Sequence, residues 1–103
     1  MEVRRGVGYW VWVGGPVAPG AAAMTLGRLI LIRRRCSEDP QLLRHEVEHV
    51  YQWRRWGVLG FLRRYLRDYA GWRLAGYPHW AAYRRIPFEI EAAWAARWDL
   101  ARP

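Results

Sequence analysis

Two histidines lie four residues apart in the stretch QLLRHEVEHVYQWRRW, and a glutamate directly follows the first of them. On a helix, residues i and i+4 share one face, so His45 and His49 can both aim a ring nitrogen at one metal ion. Glu46 is rotated about 100° from His45 and lies beside that ion. It is placed to take a proton from metal-bound water and pass it to a leaving amine. The H-E-x-x-H pattern therefore predicts a Zn²⁺ site with its own general base, and the alternative is two ordinary surface histidines.

A catalytic zinc site needs a third protein ligand and one open position. Glu89 and Glu91 are the best placed, because both lie just inside the last predicted helix. They are two residues apart and face nearly opposite sides, so only one can be the ligand. Glu89 shares its face with small residues that let two helices approach closely, which favours Glu89 and leaves Glu91 in reserve. The other downstream candidates are Asp68, His79 and Asp99.

Four residues have weaker assignments. Tyr83 is a candidate hydrogen-bond donor to the developing oxyanion and therefore a candidate catalytic residue, with a core tyrosine as the alternative. His79 is a candidate for the same role or for a ligand, although a locally bonded loop histidine explains it better. Gln52 either supports a ligand or lies on the helix surface. Cys36 is the single cysteine, which rules out an intramolecular disulfide and indicates a reducing compartment.

The elements that position these residues follow from hydropathy patterns. Residues 9–13 predict a strand, residues 16–23 a loop and residues 25–33 a second strand that is apolar on both faces. Ser37 is the expected cap of a helix over residues 40–56, which Gly57 ends. A second helix is predicted over residues 61–70, an irregular segment over 71–78, and a last helix from Pro87 to about residue 100. The expectation is a single α+β domain over residues 1–103, a small sheet packed on three main helices.

The net charge of +8 comes entirely from arginine, because the sequence contains no lysine. Arginines interleaved with tryptophans are typical of surfaces that bind single-stranded nucleic acid or anionic membrane. No nucleic-acid-binding motif accompanies them, and arginine packing against aromatic rings also explains the pattern. No apolar run approaches the roughly 20 residues of a transmembrane helix, so a cytoplasmic protein without specific nucleic-acid binding is expected.

The segments HEVEHVYQ, GFLRRY and AYRRIPFEIEA resemble the gluzincin branch of zinc metallopeptidases, and the small size resembles the minigluzincins. The resemblance covers about residues 25–96. It implies a zincin-like fold, a zinc site of His45, His49 and a helix glutamate, and Glu46 as general base. It also implies that the GRLILIR strand forms the cleft rim, on which an extended peptide lies by strand addition. One departure is that Ala93 or Ala95 stands where many gluzincins have an acidic residue that orients a histidine.

These observations predict a zinc-dependent peptidase acting on peptides or unfolded proteins, either active or latent as an isolated chain. One alternative is a zinc-stabilised binding domain without turnover, which predicts bound metal and chelator-sensitive folding. The other is a basic adaptor for nucleic acid or membrane surfaces, which predicts salt-dependent binding without need of the histidines. Substrate specificity and oligomeric state do not follow from the sequence.

Overall fold

Four short strands precede three helices in the computed structural model, which describes the backbone of residues 2–101 and the side chains of residues 2–97. The strands are β1 (Glu2–Gly6), β2 (Tyr9–Val13), β3 (Ala23–Leu26) and β4 (Leu29–Ile32), and the helices are α1 (Pro40–Leu74), α2 (His79–Arg84) and α3 (Pro87–Ala101). A single turn of 3-10 helix, Arg34–Cys36, joins β4 to α1. The predicted α+β class, with a small sheet and three helices, is confirmed.

The sheet is mixed, with the strand order β1-β2-β4-β3. β2 pairs in parallel with β4, while β1 and β3 pair antiparallel with their neighbours. The single strand predicted over residues 25–33 is wrong, because Gly27 (φ +62°) lets the chain reverse into a hairpin that pairs Leu26 with Leu29. β4 is therefore an interior strand, which explains its continuous apolar sequence, and β3 is the edge.

β1 is an element that the hydropathy pattern does not predict. Its residues are mostly charged, and they pair with β2 along the other edge of the sheet. The Arg4 guanidinium contacts the Glu2 carboxylate at 2.6 Å and the Glu38 carboxylate at 2.8 Å. Cross-strand hydrogen bonds and these surface ion pairs, rather than an apolar face, account for the position of β1.

Asp39, not Ser37, caps α1. The Asp39 Oδ1 atom accepts hydrogen bonds from the backbone N–H groups of Gln41 (3.0 Å) and Leu42 (3.1 Å). Pro40 occupies the first helical position, so the residue before it must be the cap. The Ser37 hydroxyl instead donates to the Arg34 carbonyl at 2.9 Å.

α1 is interrupted at Gly57, where φ is 73° and ψ is 167°, so the predicted end of the first helical segment is confirmed. The chain then resumes helical geometry and continues to Leu74, past the predicted end at residue 70. α2 occupies a segment with no predicted helix, whereas α3 begins at Pro87 as predicted. Within the described residues, no helix has the length and hydropathy to cross a bilayer.

Two apolar clusters hold the site helices in place. The first packs the sheet against one face of α1 and contains Val11, Val13, Ile30, Ile32, Val47 and Val50. The second packs α1 against α3 and contains Trp53, Phe61, Ile86 and Phe88. In it, Phe61 stacks on Trp53 and on Phe88, with ring centroids 4.3 and 4.8 Å apart. The face of α1 between these clusters is the face that carries the histidines.

The break at Gly57 gives a test of the fold. A Cβ added at Gly57 meets no atom within 4 Å, so Gly57→Ala changes only the backbone energy of a conformation that essentially requires glycine. We expect the free energy of unfolding, measured by urea denaturation, to fall by about 1–3 kcal/mol. Gly71→Ala is the matched control, because Gly71 is helical with equal space around it. It should raise stability by about 0.5–1 kcal/mol, and equal effects at both glycines would contradict the break.

Candidate metal centre

His45 and His49 lie one turn apart on α1 and face α3. Their rings meet edge to face with centroids 4.9 Å apart, and the His49 ring also meets the edge of Phe61. His49 is buried, and the Val47 and Val50 side chains on the other face of the helix are held in the sheet-facing core. The same amphipathic helix therefore packs on the sheet with one face and presents both imidazoles with another.

Glu89 is the carboxylate that meets the two histidines. Pro87 begins α3 and places Glu89 in its first turn, where the side chain is 7% exposed. The Glu89 Oε1 atom lies 3.0 Å from His45 Nε2 and 3.0 Å from His49 Nε2. The three candidate ligand atoms all lie within 4.8 Å of one another, so this group could hold one metal ion. The Glu91 carboxylate points elsewhere and accepts a hydrogen bond from Gln52 at 3.1 Å.

Gln52 fixes the tautomer of His49. The Gln52 side chain is fully buried, and its Nε2 atom donates to the Phe88 carbonyl at 2.9 Å and to Glu91. Its amide oxygen therefore faces His49 Nδ1 at 2.7 Å, and that nitrogen must carry a proton. In neutral His49 the lone pair is then on Nε2, aimed at Glu89. Of the two predictions for Gln52, support of a ligand agrees with the structure and an exposed helix position does not.

The contact of His49 with Glu89 requires a positive charge. A neutral imidazole with its lone pair on Nε2 repels a carboxylate oxygen at 3.0 Å, unless a proton or a metal ion lies between them. His45 Nε2 makes the same contact with the same oxygen. A proton on His49 Nε2 would satisfy this contact, and so would a single divalent cation shared by the two histidines. Two imidazoles and a carboxylate form a donor set that suits Zn²⁺ and other first-row divalent ions.

Hydrogen bonding, not burial, dominates the charge state of Glu89. Burial alone would raise the pKa of the Glu89 carboxyl, but hydrogen bonds from His45, His49 and Tyr65 lower it well below the ordinary value. Burial likewise would lower the pKa of His49, and the Glu89 carboxylate reverses this and raises it. The cluster therefore favours an ionised glutamate facing a cation.

Two tyrosines complete the surroundings of Glu89. The Tyr65 hydroxyl donates to Oε2 at 2.8 Å, and the Tyr83 hydroxyl donates to Oε1 at 2.8 Å. Burial and the neighbouring carboxylate raise the pKa of both phenols, so both remain neutral donors. Tyr65 fixes the carboxylate so that Oε1 points to the histidines. Tyr65 is not among the predicted site residues, because nothing in hydropathy indicates where its hydroxyl points.

Glu46 lies beside the cluster and is held by the edge strand. Its side chain is 4% exposed, and the Thr25 hydroxyl of β3 donates to Glu46 Oε1 at 2.8 Å. Burial raises the pKa of the Glu46 carboxyl, and charge on His49 and the Thr25 hydrogen bond oppose this only in part. A carboxyl group with a raised pKa next to a cation site has the properties of a general base.

Two cavities flank the cluster. The larger has a volume of about 550 Å³, and the smaller about 340 Å³. His45, Tyr83, Ala93 and Arg97 line both cavities, and Glu46 reaches the smaller one. The candidate metal centre therefore lies in an open cleft between α1 and α3, with Tyr83 at its mouth.

The remaining candidates lie away from this cluster. His79 Nδ1 lies 3.0 Å from the Tyr69 hydroxyl, and Asp68 contacts Arg67 at 3.5 Å. Cys36 is partly buried against the sheet-side core. The Asp99 side chain lies outside the described residues. No described candidate other than Glu89 joins the two histidines.

The likeness to known proteins is confined to one part of the chain. Residues 17–57 match the model of a family described as the eCIS core domain. The match covers less than half of the chain and includes β3, β4, both histidines and Glu46, but it ends before Glu89. No curated protein and no solved structure matches the sequence.

The assignment of Glu89 can be tested by metal titration. We expect the purified protein to bind one divalent ion, and Glu89→Ala to lower its affinity at least tenfold because a charged donor is lost. Glu91→Ala should change the affinity little, since the Phe88 carbonyl still holds Gln52 in place. Isothermal titration with Zn²⁺ measures both variants. A loss confined to Glu91→Ala would contradict the assignment.

Gln52 supplies a second test. Gln52→Leu keeps a similar volume but removes the acceptor from His49 Nδ1, and loss of such an orienting bond lowers metal affinity roughly 10–100-fold. Gln41→Leu makes the same change in the first turn of α1, where Gln41 lines the smaller cavity but its side chain bonds to neither histidine among the described contacts, and it should leave the affinity unchanged. Circular dichroism of both variants establishes that they are folded. Equal affinities of the two folded variants would show that Gln52 does not orient His49.

Proposed function

We propose that this protein is a zinc-dependent peptidase of the gluzincin type, with His45, His49 and Glu89 as ligands. The observation that carries the proposal is the meeting of these three groups beside a buried Glu46 in an open cleft. A binding domain without turnover has no need of a carboxylate with a raised pKa next to the metal. Peptide hydrolysis does need one.

The chain's own residues supply the proton transfers. When bound, Zn²⁺ supplies Lewis acidity, which lowers the pKa of water toward 7 and polarises a peptide carbonyl. Glu46 accepts a proton from the attacking water and passes it to the departing amine. Thr25 orients the Glu46 carboxylate through its 2.8 Å hydrogen bond. Tyr83 is the candidate donor to the oxyanion, and its hydroxyl must leave Glu89 Oε1 to act in that way.

An extended peptide is the substrate that the edge of the sheet favours. The rim implied by the gluzincin resemblance, GRLILIR, needs correction because β4 pairs on both sides and has no free edge. The free edge belongs to β3. The hairpin register and the bond from Arg33 N–H to the Ala22 carbonyl leave the backbone groups of Ala23 and Thr25 directed away from β4. These groups can pair with an added strand beside Glu46.

Gln52 accounts for the departure from the gluzincin pattern. An acidic residue four positions after the ligand would occupy position 93, which is alanine here. The histidine that needs an acceptor obtains it from Gln52, one turn beyond His49 on the same helix. We therefore infer that the support of the ligand moves from the glutamate helix to the histidine helix.

The test is hydrolysis of a fluorescently labelled, unstructured protein with Zn²⁺ present. Glu46→Gln removes the general base and should lower the rate about 10²–10⁴-fold while leaving the bound zinc unchanged. Glu48→Gln is the matched control on the same helix, because Glu48 forms an ion pair with Arg44 at 3.1 Å and is not part of the candidate metal centre. It should retain nearly full activity. Hydrolysis that persists in Glu46→Gln, or that ignores a chelator, would exclude the mechanism.

A second candidate follows from the match to the eCIS core domain, a family in extension/contractile injection systems. In that role the metal would stabilise an assembly module rather than catalyse a reaction. It predicts that chelation lowers the stability of the fold and that no peptide is hydrolysed at any zinc concentration. Thermal unfolding with and without chelator, measured beside the hydrolysis assay, separates the two functions.

A further inference from the structure

The larger cavity beside the candidate metal centre is lined by two arginines. The candidate ligands Glu89 and His45 line it together with Arg84, Arg97 and the apolar side chains of Ile90 and Trp94. α3 contributes most of this lining, and Arg84 comes from the end of α2. A substrate side chain that enters this cavity therefore meets two guanidinium groups and an apolar surface.

The charge of this cavity is uncompensated. Glu89 is the one acidic side chain among its described lining residues, and its oxygens already accept from two histidines and two tyrosines. Within the described part of the chain, neither Arg84 nor Arg97 forms an ion pair; Arg84 instead lies 5.8 Å from the centre of the Trp80 ring. A divalent ion at the centre would add further positive charge.

The smaller cavity has a different character. It is lined by the acidic Asp39 and Glu46 and by the small or apolar Ala23, Leu42 and Ala96, with Arg97 at the junction. An anionic side chain placed there would face two carboxylates. Arg84 and Arg97 outnumber Glu89 in the larger cavity, whereas Asp39 and Glu46 outnumber Arg97 in the smaller one, so a substrate lying across the centre meets net positive charge on one side only.

We propose that the Arg84–Arg97 cavity recognises a carboxylate on the substrate, on one side of the bond that is cleaved. Guanidinium groups form paired, charge-assisted hydrogen bonds with carboxylates, and the methylene groups of a glutamate would pack on Ile90 and Trp94. The carboxylate belongs either to an acidic side chain or to the C-terminus of the substrate. The proposal rests on the proposed peptidase function and adds a substrate class to it.

General attraction is the competing explanation, because a chain with a net charge of +8 attracts any acidic peptide. That attraction depends on the total charge of the peptide and not on where the charge lies. Two peptides of identical composition remove this general attraction from the comparison. One has glutamate before and glutamine after the cleaved bond, and the other has the two residues exchanged. Amidated and free C-termini of each peptide distinguish the two sources of the carboxylate.

The experiment compares kcat/KM for the two isomers, each with a free and an amidated C-terminus. If an acidic side chain is recognised, we expect about a tenfold preference for one isomer; if the C-terminus is recognised, we expect about a tenfold preference for the free over the amidated form. Either preference should fall to about twofold or less in Arg84→Gln and Arg97→Gln. Arg63→Gln removes the same charge from an exposed position after Gly57 and should keep the full preference. A preference between the isomers that survives amidation assigns the carboxylate to an acidic side chain; equal rates for the isomers with a loss on amidation assign it to the C-terminus. Equal rates for all four peptides, or a preference unchanged in both cavity variants, would overturn the proposal.

Binding of the peptides to the Glu46→Gln variant tests carboxylate recognition independently of the proposed peptidase function. Fluorescence anisotropy of the labelled isomers on this variant needs no turnover, so it still reports recognition if the wild-type protein hydrolyses nothing. Tighter binding of one isomer, or of the free over the amidated form, that is lost in the double variants Glu46→Gln/Arg84→Gln and Glu46→Gln/Arg97→Gln supports the carboxylate site. Equal binding of all four peptides argues against it, whatever the hydrolysis assay shows.

Discussion

A buried carboxylate oxygen between two imidazole nitrogens is the interaction on which this structure depends. Glu89 Oε1 lies 3.0 Å from both His45 Nε2 and His49 Nε2, and it joins α1 to α3. An ionised carboxylate with so little exposure is costly unless cations or donors surround it. Tyr65 and Tyr83 supply two hydrogen bonds, and Gln52 directs the proton of His49 away from Glu89. The remaining requirement is positive charge beside His49 Nε2, which a divalent ion shared by the two histidines would supply.

The scaffold positions this cluster by apolar packing on both sides. The sheet covers one face of α1, and the stacked rings of Trp53, Phe61 and Phe88 join α1 to α3. Gly57 interrupts α1 between Trp53 and Phe61, so that both rings can pack together and Tyr65 can reach Glu89. Such packing tolerates little displacement, which suits a site whose atoms must converge on one point.

Local patterns in the sequence predicted some structural features correctly and missed others. The i, i+4 spacing predicted the shared face of His45 and His49, and the small residues after Glu89 indicated the face of α3 that meets α1. The hairpin at Gly27 was missed, because a strand buried on both sides hides a two-residue turn in an apolar run. The hydrogen bond of Tyr65 to Glu89 and those of Gln52 to Phe88 and Glu91 could not be predicted, for another reason. They depend on contacts between residues far apart in the chain, and hydropathy does not encode the direction of a hydroxyl or an amide.

The most direct measurement of the central claim is X-ray absorption spectroscopy of the zinc-loaded protein. The nearest neighbours of the ion should be nitrogen and oxygen atoms at about 2.0–2.2 Å. Glu89→Ala should leave the two imidazole contributions in place and remove the carboxylate contribution. A sulfur neighbour at about 2.3 Å would assign the metal to Cys36. That result, or a wild-type spectrum identical to that of Glu89→Ala, would contradict a metal centre built on His45, His49 and Glu89.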